Sequence, residues 1–571
     1  MIEFNQTSFH IKARILTSII AIENAATFAL SWGTSDAEKG EVFTKPEIVQ
    51  FMLTTSGLSR AILNPETRIL EPSCGQGEFV NAIAKELCQA LKDSEFPTSM
   101  IANRFKQLIT AYEISNASLM KAKASTFDIL TSVFEEPDAM MLVNKWYRNE
   151  DFLLSQDREI FTHVIGNPPY VRIENIPSEL LTVYRSQFST MKERADLYVA
   201  FYEKSLSLLN EGGILSFICT DRWTKNSYGS SLRDYISRSF QLDLYVDLYG
   251  QNAFQSEVLT YPAVTQISKR KQSKTIIIHN PVINDSFSCA VANSLENEKI
   301  DFEGKILRKD VVNGTKPWMF GSADELGLIN RLEREFPLIE ETGCQIFIGA
   351  ATGNNKVYII DNSVDIEPCR KIPMVKASDI KKGKIDVNNQ YIINTYDEFG
   401  LINLEDFPKL KIYLEGHSEE LKKRHIAKVS PSAWFKTIDR VYPERAKSEK
   451  LLIPDIKSEL FIVHDDGGYH PNNSIYYICS KNWDLKALQG VLISGLGQLF
   501  VEIYSTKVSG GNLRFQAQHL RRIRVPYWDN VSESIRVGLK KAAVEGNTSL
   551  AKELVCSLYN FSEKEKQVIG C

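Results

Sequence analysis

The chain has no excess of one charge: 67 Lys+Arg against 71 Asp+Glu leave a net charge of −4 over 571 residues. That balance argues against a protein that coats nucleic acid along its length, while leaving room for a local basic face. The nine cysteines contain no CxxC pair, and this odd, scattered set predicts reduced thiols of a cytosolic protein, not a disulfide frame or zinc site. The eight histidines form no HExxH or similar ligand cluster, so no metal is expected. Neither GxGxxG nor GxxxxGK[ST] occurs, which disfavours a dinucleotide site and an ATPase. No apolar run approaches the length needed to span a membrane. Lys12 and Arg14 precede the short apolar stretch Ile15–Ile22, but Glu23 and Asn24 interrupt it and no small-x-small cleavage site follows. An N-terminal helical extension over 1–39 is the expectation.

What is present is a rhythm. Candidate strands Arg68–Glu71, Leu108–Glu113, Phe161–Gly166, Gly213–Cys219, Leu242–Leu248 and Ala263–Ser268 alternate with amphipathic stretches such as Phe79–Leu91 and Leu197–Leu209. This alternation predicts an α/β fold, a doubly wound and mostly parallel sheet, over 1–300. After a charged connecting helix at Asp324–Phe336 come irregular strands, Asn-Gly and Gly-Gly turns and clustered lysines. A mixed α+β second domain over 301–571 follows from that change.

Asn167-Pro168-Pro169-Tyr170 directly follows the apolar run Phe161–Gly166. A strand that ends this way gives a stiff loop with one amide, free carbonyls and one aromatic face. Such a loop suits a flat base bearing an amino group: Asn167 and the Pro168 carbonyl accept, and Tyr170 stacks. Upstream, Glu71-Pro72-Ser73-Cys74-Gly75-Gln76-Gly77 lies between a strand and a helix, where small residues let a ligand approach backbone. Glu71 at the strand tip repels phosphate and welcomes an ammonium or sulfonium, which favours S-adenosylmethionine. Glu113, at the tip of the second strand, is placed to accept ribose hydroxyls, and Asp128 to accept from an adenine amine. Any one of these carboxylates is ordinarily a helix cap or a solvated side chain; three in successive units at one sheet edge point to a site. Thr44 and Glu47 have capping-box spacing before a helix that Pro46 can start.

These motifs resemble the S-adenosylmethionine-dependent adenine-N6 DNA methyltransferases of restriction–modification systems, in their gamma (TaqI-like) order. The capping segment comes first, the cofactor loop second, Asn-Pro-Pro-Tyr third and a target-recognition domain last. The resemblance covers residues 40–270 strongly and the rest weakly. It implies a class I methyltransferase fold, with Phe43, Thr44, Glu71, Ser73 and Gly75 toward the methionine end of the cofactor. Glu113 would hold the ribose, Asp128 and Ile129 the adenine, and Phe201 would stack on the cofactor. Asn167, Pro168, Pro169 and Tyr170 would hold a flipped adenine, with Phe254 as a second aromatic on that base. It further implies duplex DNA as partner, a separately encoded cognate restriction endonuclease and a cytoplasmic location.

In the C-terminal half, Leu421–Lys450 carries nine Lys/Arg against Asp439, Glu444 and Glu449, with Trp434, Phe435 and Tyr442 interleaved. A DNA-facing surface and a solvated helix face fit that composition equally. Candidate contacts are Lys356, Lys422, Lys423, Arg424, Trp434, Lys436, Arg440 and Arg514. Three rivals remain at this point. One is a methyltransferase acting on rRNA or on protein glutamine. A second is a bifunctional restriction–modification enzyme, since Pro454-Asp455 and Asp484-Leu485-Lys486 loosely fit a nuclease pattern. The third is a non-catalytic specificity subunit.

Overall fold

Short β-branched runs with both faces apolar become the strands of one large sheet. The computed structural model describes residues 42–571 except 95–100, 157, 249–252, 256–261, 298–305, 382, 388 and 506–511, and before residue 42 only positions 25, 28 and 29. The N-terminal extension expected over 1–39 therefore lies outside the described residues, apart from those three helical positions. The chain divides into two compact units, 1–320 and 321–571.

In the first unit the strands are β1 (Ile69–Glu71), β2 (Ile109–Tyr112), β3 (Tyr147–Arg148), β4 (Phe161–Gly166), β5 (Leu209–Thr220), β6 (Gln241–Asp247), β7 (Pro262–Ser268), β8 (Thr275–His279) and β9 (Leu307–Lys309). Their order in the sheet is β3-β2-β1-β4-β5-β7-β6-β8-β9. The pairings from β3 through β5 are parallel, and β7 runs antiparallel between β5 and β6. The doubly wound, mostly parallel sheet is thus observed. Side chains alternate across it: Ile69 and Ile165 join the core under one face, Leu70 and Val164 the core under the other. The helices α1 (Pro46–Thr55), α2 (Glu78–Lys92), α3 (Asn116–Leu130) and α4 (Glu136–Trp146) line the first core. On the opposite face α5 (Ser178–Gln187), α6 (Tyr198–Ser207) and α7 (Ser230–Ser239) line the second. Between β1 and β4 the strand order reverses, and the crevice at their carboxyl ends is where ligands enter such sheets.

Residues 306–320, expected in the second domain, belong to the first unit. The strand β9 pairs with β8, and Trp318 and Phe320 are buried in the second core, with Phe320 stacked on Tyr245 at 3.6 Å. The second unit is mixed α+β. One antiparallel sheet runs Cys344–Ile348, Ile475–Ser480, Lys450–Pro454, Val463–Asp465, and a smaller one runs Ile359–Ile360, Tyr391–Ile393, Lys371–Val375, His470–Pro471. The helical run Leu485–Tyr504 corrects one expectation, because at 20 residues it is long and apolar enough to cross a membrane. Within the unit, however, 72% of its most apolar window is buried, so it is the core helix of the fold.

Candidate active site

The crevice at the β1/β4 switch point is lined by Val42, Phe43, Thr44, Glu71, Ser73, Gly75, Glu113, Asn167, Pro169 and Phe201, together with Glu150, Asp151, Phe152, Tyr184 and others. Nine of the fourteen residues expected to bind cofactor or act in catalysis thus line one cleft. They come from segments spread over more than 150 residues, and the sheet brings them together.

The strand β1 delivers Glu71 to the cleft with 1% exposure. Its Oε1 accepts from Ser73 N–H at 3.0 Å. Burial pushes the Glu71 carboxyl well above the usual carboxylate range; the Ser73 N–H opposes that, and nearby Glu113 and Glu78 raise it further. A Cβ at residue 166 would run into Glu71 Oε1, so the glycine that ends β4 makes room for this carboxylate. Glu113, beyond β2, accepts from Gly75 N–H at 2.9 Å and Ser115 N–H at 2.7 Å. Gly75 has φ +54° and Gly77 φ +99°, the left-handed turn that opens α2 without a larger side chain in the way. Five carboxylates, Glu71, Glu78, Glu113, Glu150 and Asp151, and no Lys or Arg among the lining residues suit a positively charged ligand with hydroxyl or amine donors.

At the other side of the cleft the Asn167 amide is held by its nitrogen. Nδ2 donates to Val42 O at 2.7 Å and to Thr44 Oγ1 at 3.2 Å. Its Oδ1 is buried and has no hydrogen-bond partner. Buried acceptors are rarely left so, and an orphan at a cleft marks where a ligand donor belongs. Ser73 Oγ donates to Asn167 O at 3.2 Å, tying the cofactor loop to the Asn-Pro-Pro-Tyr loop. Tyr170 donates to Ile218 O at 3.4 Å, and its ring meets Phe254 edge-on at 6.1 Å between centroids. Phe254 bridges Thr44 as an isolated antiparallel pair, so both aromatics stand beside the amide.

Two expectations fail here. Thr44 and Glu47 form no capping box: Lys45 is the N-cap of α1 and no side chain caps it. Proline at the first helical position lacks an N–H in any case, which removes part of the need for a cap. Asp128 and Ile129 do not reach the cleft. They lie inside α3, Asp128 exposed and Ile129 half-buried against the helix side of the sheet. Asp151 and Phe152, which follow the two-residue strand β3, line the cleft instead. Asp151 accepts from Leu153 N–H at 2.8 Å and Tyr184 Oη at 2.5 Å; burial raises its carboxyl above the usual range, against those two donors. Phe152 packs on Phe201 at 5.6 Å. The buried Lys204 ammonium holds this loop, donating to Ser155 O at 2.7 Å and to Phe152 O. The acidic-aromatic pair Asp151-Phe152 was the available sequence signal.

In the second unit the expected DNA contacts separate into two kinds. Lys356, Lys422 and Lys423 are exposed. Lys422 sits over the half-buried Trp434 at 5.2 Å, and Lys436 is half-buried. Arg424 is a structural post: it donates to Leu421 O, Thr352 O, Tyr358 Oη, Trp434 O and Lys436 O at 2.7–3.2 Å. Arg440 donates to Asp397 O, and Arg514 pairs with Asp455. That last pair also empties the nuclease pattern, because Asp455 is neutralised by Arg514. Asp484 caps the helix starting at Leu485 and pairs with Lys540 at 2.7 Å. Among the described residues one acidic-histidine group, Glu449, His464 and Asp466, is close enough to suggest a metal. There the two imidazole nitrogens each face a different carboxylate, at 2.6 and 3.4 Å, which is a chain of polar contacts and not a chelate.

Comparison with known proteins follows the same division. Residues 81–254 match the family described as Eco57I restriction-modification methylase, and residues 372–525 the TaqI-like C-terminal specificity domain. The chain is 41% identical over 541 residues to the Type II methyltransferase M.XhoI of Xanthomonas vasicola, covering 93% of this chain and 99% of that one. The Type II methyltransferase M.PaeR7I of Pseudomonas aeruginosa is also 41% identical, over 96% of each chain. Among solved structures, the Type IIL restriction-modification enzyme MmeI in complex with DNA shares the fold at a TM-score of 0.60 and 13% identity, over 92% of this chain and 76% of that one.

Proposed function

The chain belongs to the type II methyltransferases of restriction–modification systems, and from that premise we propose that it methylates the N6 amino group of an adenine flipped out of duplex DNA, with S-adenosylmethionine as donor. The observation that carries this reading is Asn167 Oδ1, a buried acceptor without a partner, beside a cleft lined by carboxylates and by no Lys or Arg.

The residues fit the donor. Glu71 and Phe43 would face the methionine end, Glu113 the ribose, and Asp151, Phe152 and Phe201, which line the same cleft, the adenine ring. When bound, S-adenosylmethionine supplies an electrophilic methyl group on a sulfonium. A base inside a duplex cannot present its amine to this cleft, so the adenine must leave the stack. Asn167 Oδ1 and the Pro168 carbonyl then accept the two amine hydrogens and turn the nitrogen lone pair out of the ring plane. Tyr170 and Phe254 grip the base. The acceleration comes from positioning and from oriented dipoles, with no strong base required.

The C-terminal unit would bind the duplex through its local basic segment, with a separately encoded endonuclease as cognate partner. Nine free cysteines suit a reducing cytosol. Base-modification sequencing of DNA from cells expressing the chain tests the reading. The expected result is N6-methyladenine in one short sequence context; methylation of cytosine N4, rRNA or protein instead would refute it.

A further inference from the structure

We propose that Thr44 is a positioning residue that, together with the Val42 carbonyl, holds the Asn167 amide with both N–H groups engaged and its acceptor toward the substrate, so that the site accepts a base with an amino group and rejects one with an oxo group at the same position. This rests on the adenine reading above. A primary amide turned by 180° has nearly the same shape but exchanges its acceptor for a donor pair. Left alone, Asn167 would present either end, and a base with a ring carbonyl would be received as well as one with an amine.

Two neighbours remove that freedom. The Val42 carbonyl can only accept, so at 2.7 Å it tolerates Nδ2 and not Oδ1. Turning the amide would set two oxygens against each other in a buried place and leave both without donors. Thr44 Oγ1 takes the second N–H at 3.2 Å, which uses both amide hydrogens and leaves Oδ1 as the only group to offer. Asn167 cannot back away, since its own carbonyl is held by Ser73 Oγ.

Thr44 is itself held for this task. Its side chain caps no helix. It is 2% exposed, and the backbone around it is clipped to the segment that carries Phe254. Lys45 N–H donates to Ala253 O at 3.0 Å, Gln255 N–H to Phe43 O at 2.9 Å, and Gln255 Nε2 to Thr44 O at 3.2 Å. One clip thus sets the amide and one of the two aromatics that face the base. An amine at the purine 6-position meets an acceptor; hypoxanthine or guanine would bring a second oxygen to Oδ1.

The test compares Thr44→Val, Thr44→Ser and wild type on duplex substrate, with cofactor affinity measured separately by calorimetry. Thr44→Val should lower kcat about tenfold, the worth of one orienting hydrogen bond, with cofactor Kd unchanged. Thr44→Ser, which keeps the hydroxyl, should restore it. Hypoxanthine placed at the target should compete poorly against wild type, and the gap between the adenine and hypoxanthine duplexes should narrow in Thr44→Val. A raised cofactor Kd with unchanged kcat would overturn the proposal, as would an unchanged gap. If Thr44→Val fails to fold, Thr44→Ala carries the same measurements. Failure of the adenine reading shows separately, as wild type that methylates no adenine.

Discussion

In the first unit, the buried polar groups at the carboxyl edge of the sheet are held firmly on one side and left open on the other. Asn167 has both donors engaged and its acceptor free, and Glu71 is buried against one N–H with no cation beside it. In the second unit several buried and half-buried charges are engaged within the fold. Arg424 meets five acceptors, Lys450 and Asp465 pair at 2.7 Å with 0% and 4% of their side chains exposed, and Arg445 lies between Phe347 and Tyr442 while bonding Tyr477 Oη. The difference teaches where recognition can reside. A free buried acceptor is costly to keep and so reports a ligand, whereas a satisfied buried charge reports the fold.

The sharpest way to break this comparison is at Asn167. Asn167→Ala removes the open acceptor beside the cleft, and methyl transfer should fall on the order of a thousandfold, as for loss of an oriented group at a reacting centre. Cofactor affinity, measured by equilibrium binding, should hold. A loss of binding equal to the loss of rate would make the amide a structural group like those of the second unit.

Acid should affect both units, because each holds a histidine whose titration burial lowers. Burial lowers His163 in β4 and His470 in the second unit from 6.5 to about 4. Each folded value lies below the unfolded one, so the unfolded chain binds more protons between pH 6.5 and 4. The stability is present above pH 6.5 and lost as the pH falls toward 4, about 3 kcal/mol for each group. Thermal melting at stepped pH reads this, and His163→Gln should remove the share of the first unit alone. A transition that stays flat from pH 7 to 4 would show that the imidazoles reach solvent.

Next in size is Arg424→Ala, which strands several carbonyls and should destabilise the second unit by about 2 kcal/mol. The melting transition of that unit should drop while cofactor affinity stays. A variant that melts normally but binds DNA weakly would return Arg424 to the role the sequence suggested.

The two units also differed in how far their residues could be read in advance. The long strands β4, β5, β6 and β7 were legible because each is a run of apolar residues bounded by turn signals, and the motif residues at their tips came with them. Strand β3 was not, for it is two residues long and leaves no pattern. Without that strand the pattern points to Asp128, which sits inside a helix, and not to Asp151, which lines the cleft. Thr44 was read as a cap because spacing shows local partners, while its real partner, Asn167, is 123 residues away. In the second unit, composition counted nine basic residues in Leu421–Lys450 but could not tell those engaged in the fold, Arg424, Arg440, Arg445 and Lys450, from the exposed ones. Charge is a property of the residue, whereas satisfaction is a property of its neighbours.

The smallest effect, and the one that sharpens the comparison most, is at Lys422 and Lys423. Both are exposed on a segment where the arginine beside them is consumed by the fold, so they can lend positive charge to a partner without loss of structure. Alanine at either should leave the melting transition in place, as surface changes usually do. If they meet phosphates, each removal lowers the slope of log affinity against log salt by about 0.9 and weakens specific and nonspecific duplexes alike. The loss at physiological salt should be only a few-fold, within about 1 kcal/mol. A slope that does not move would make the whole basic segment a solvated face, and the reading of the duplex would then have to come from side chains elsewhere in the second unit.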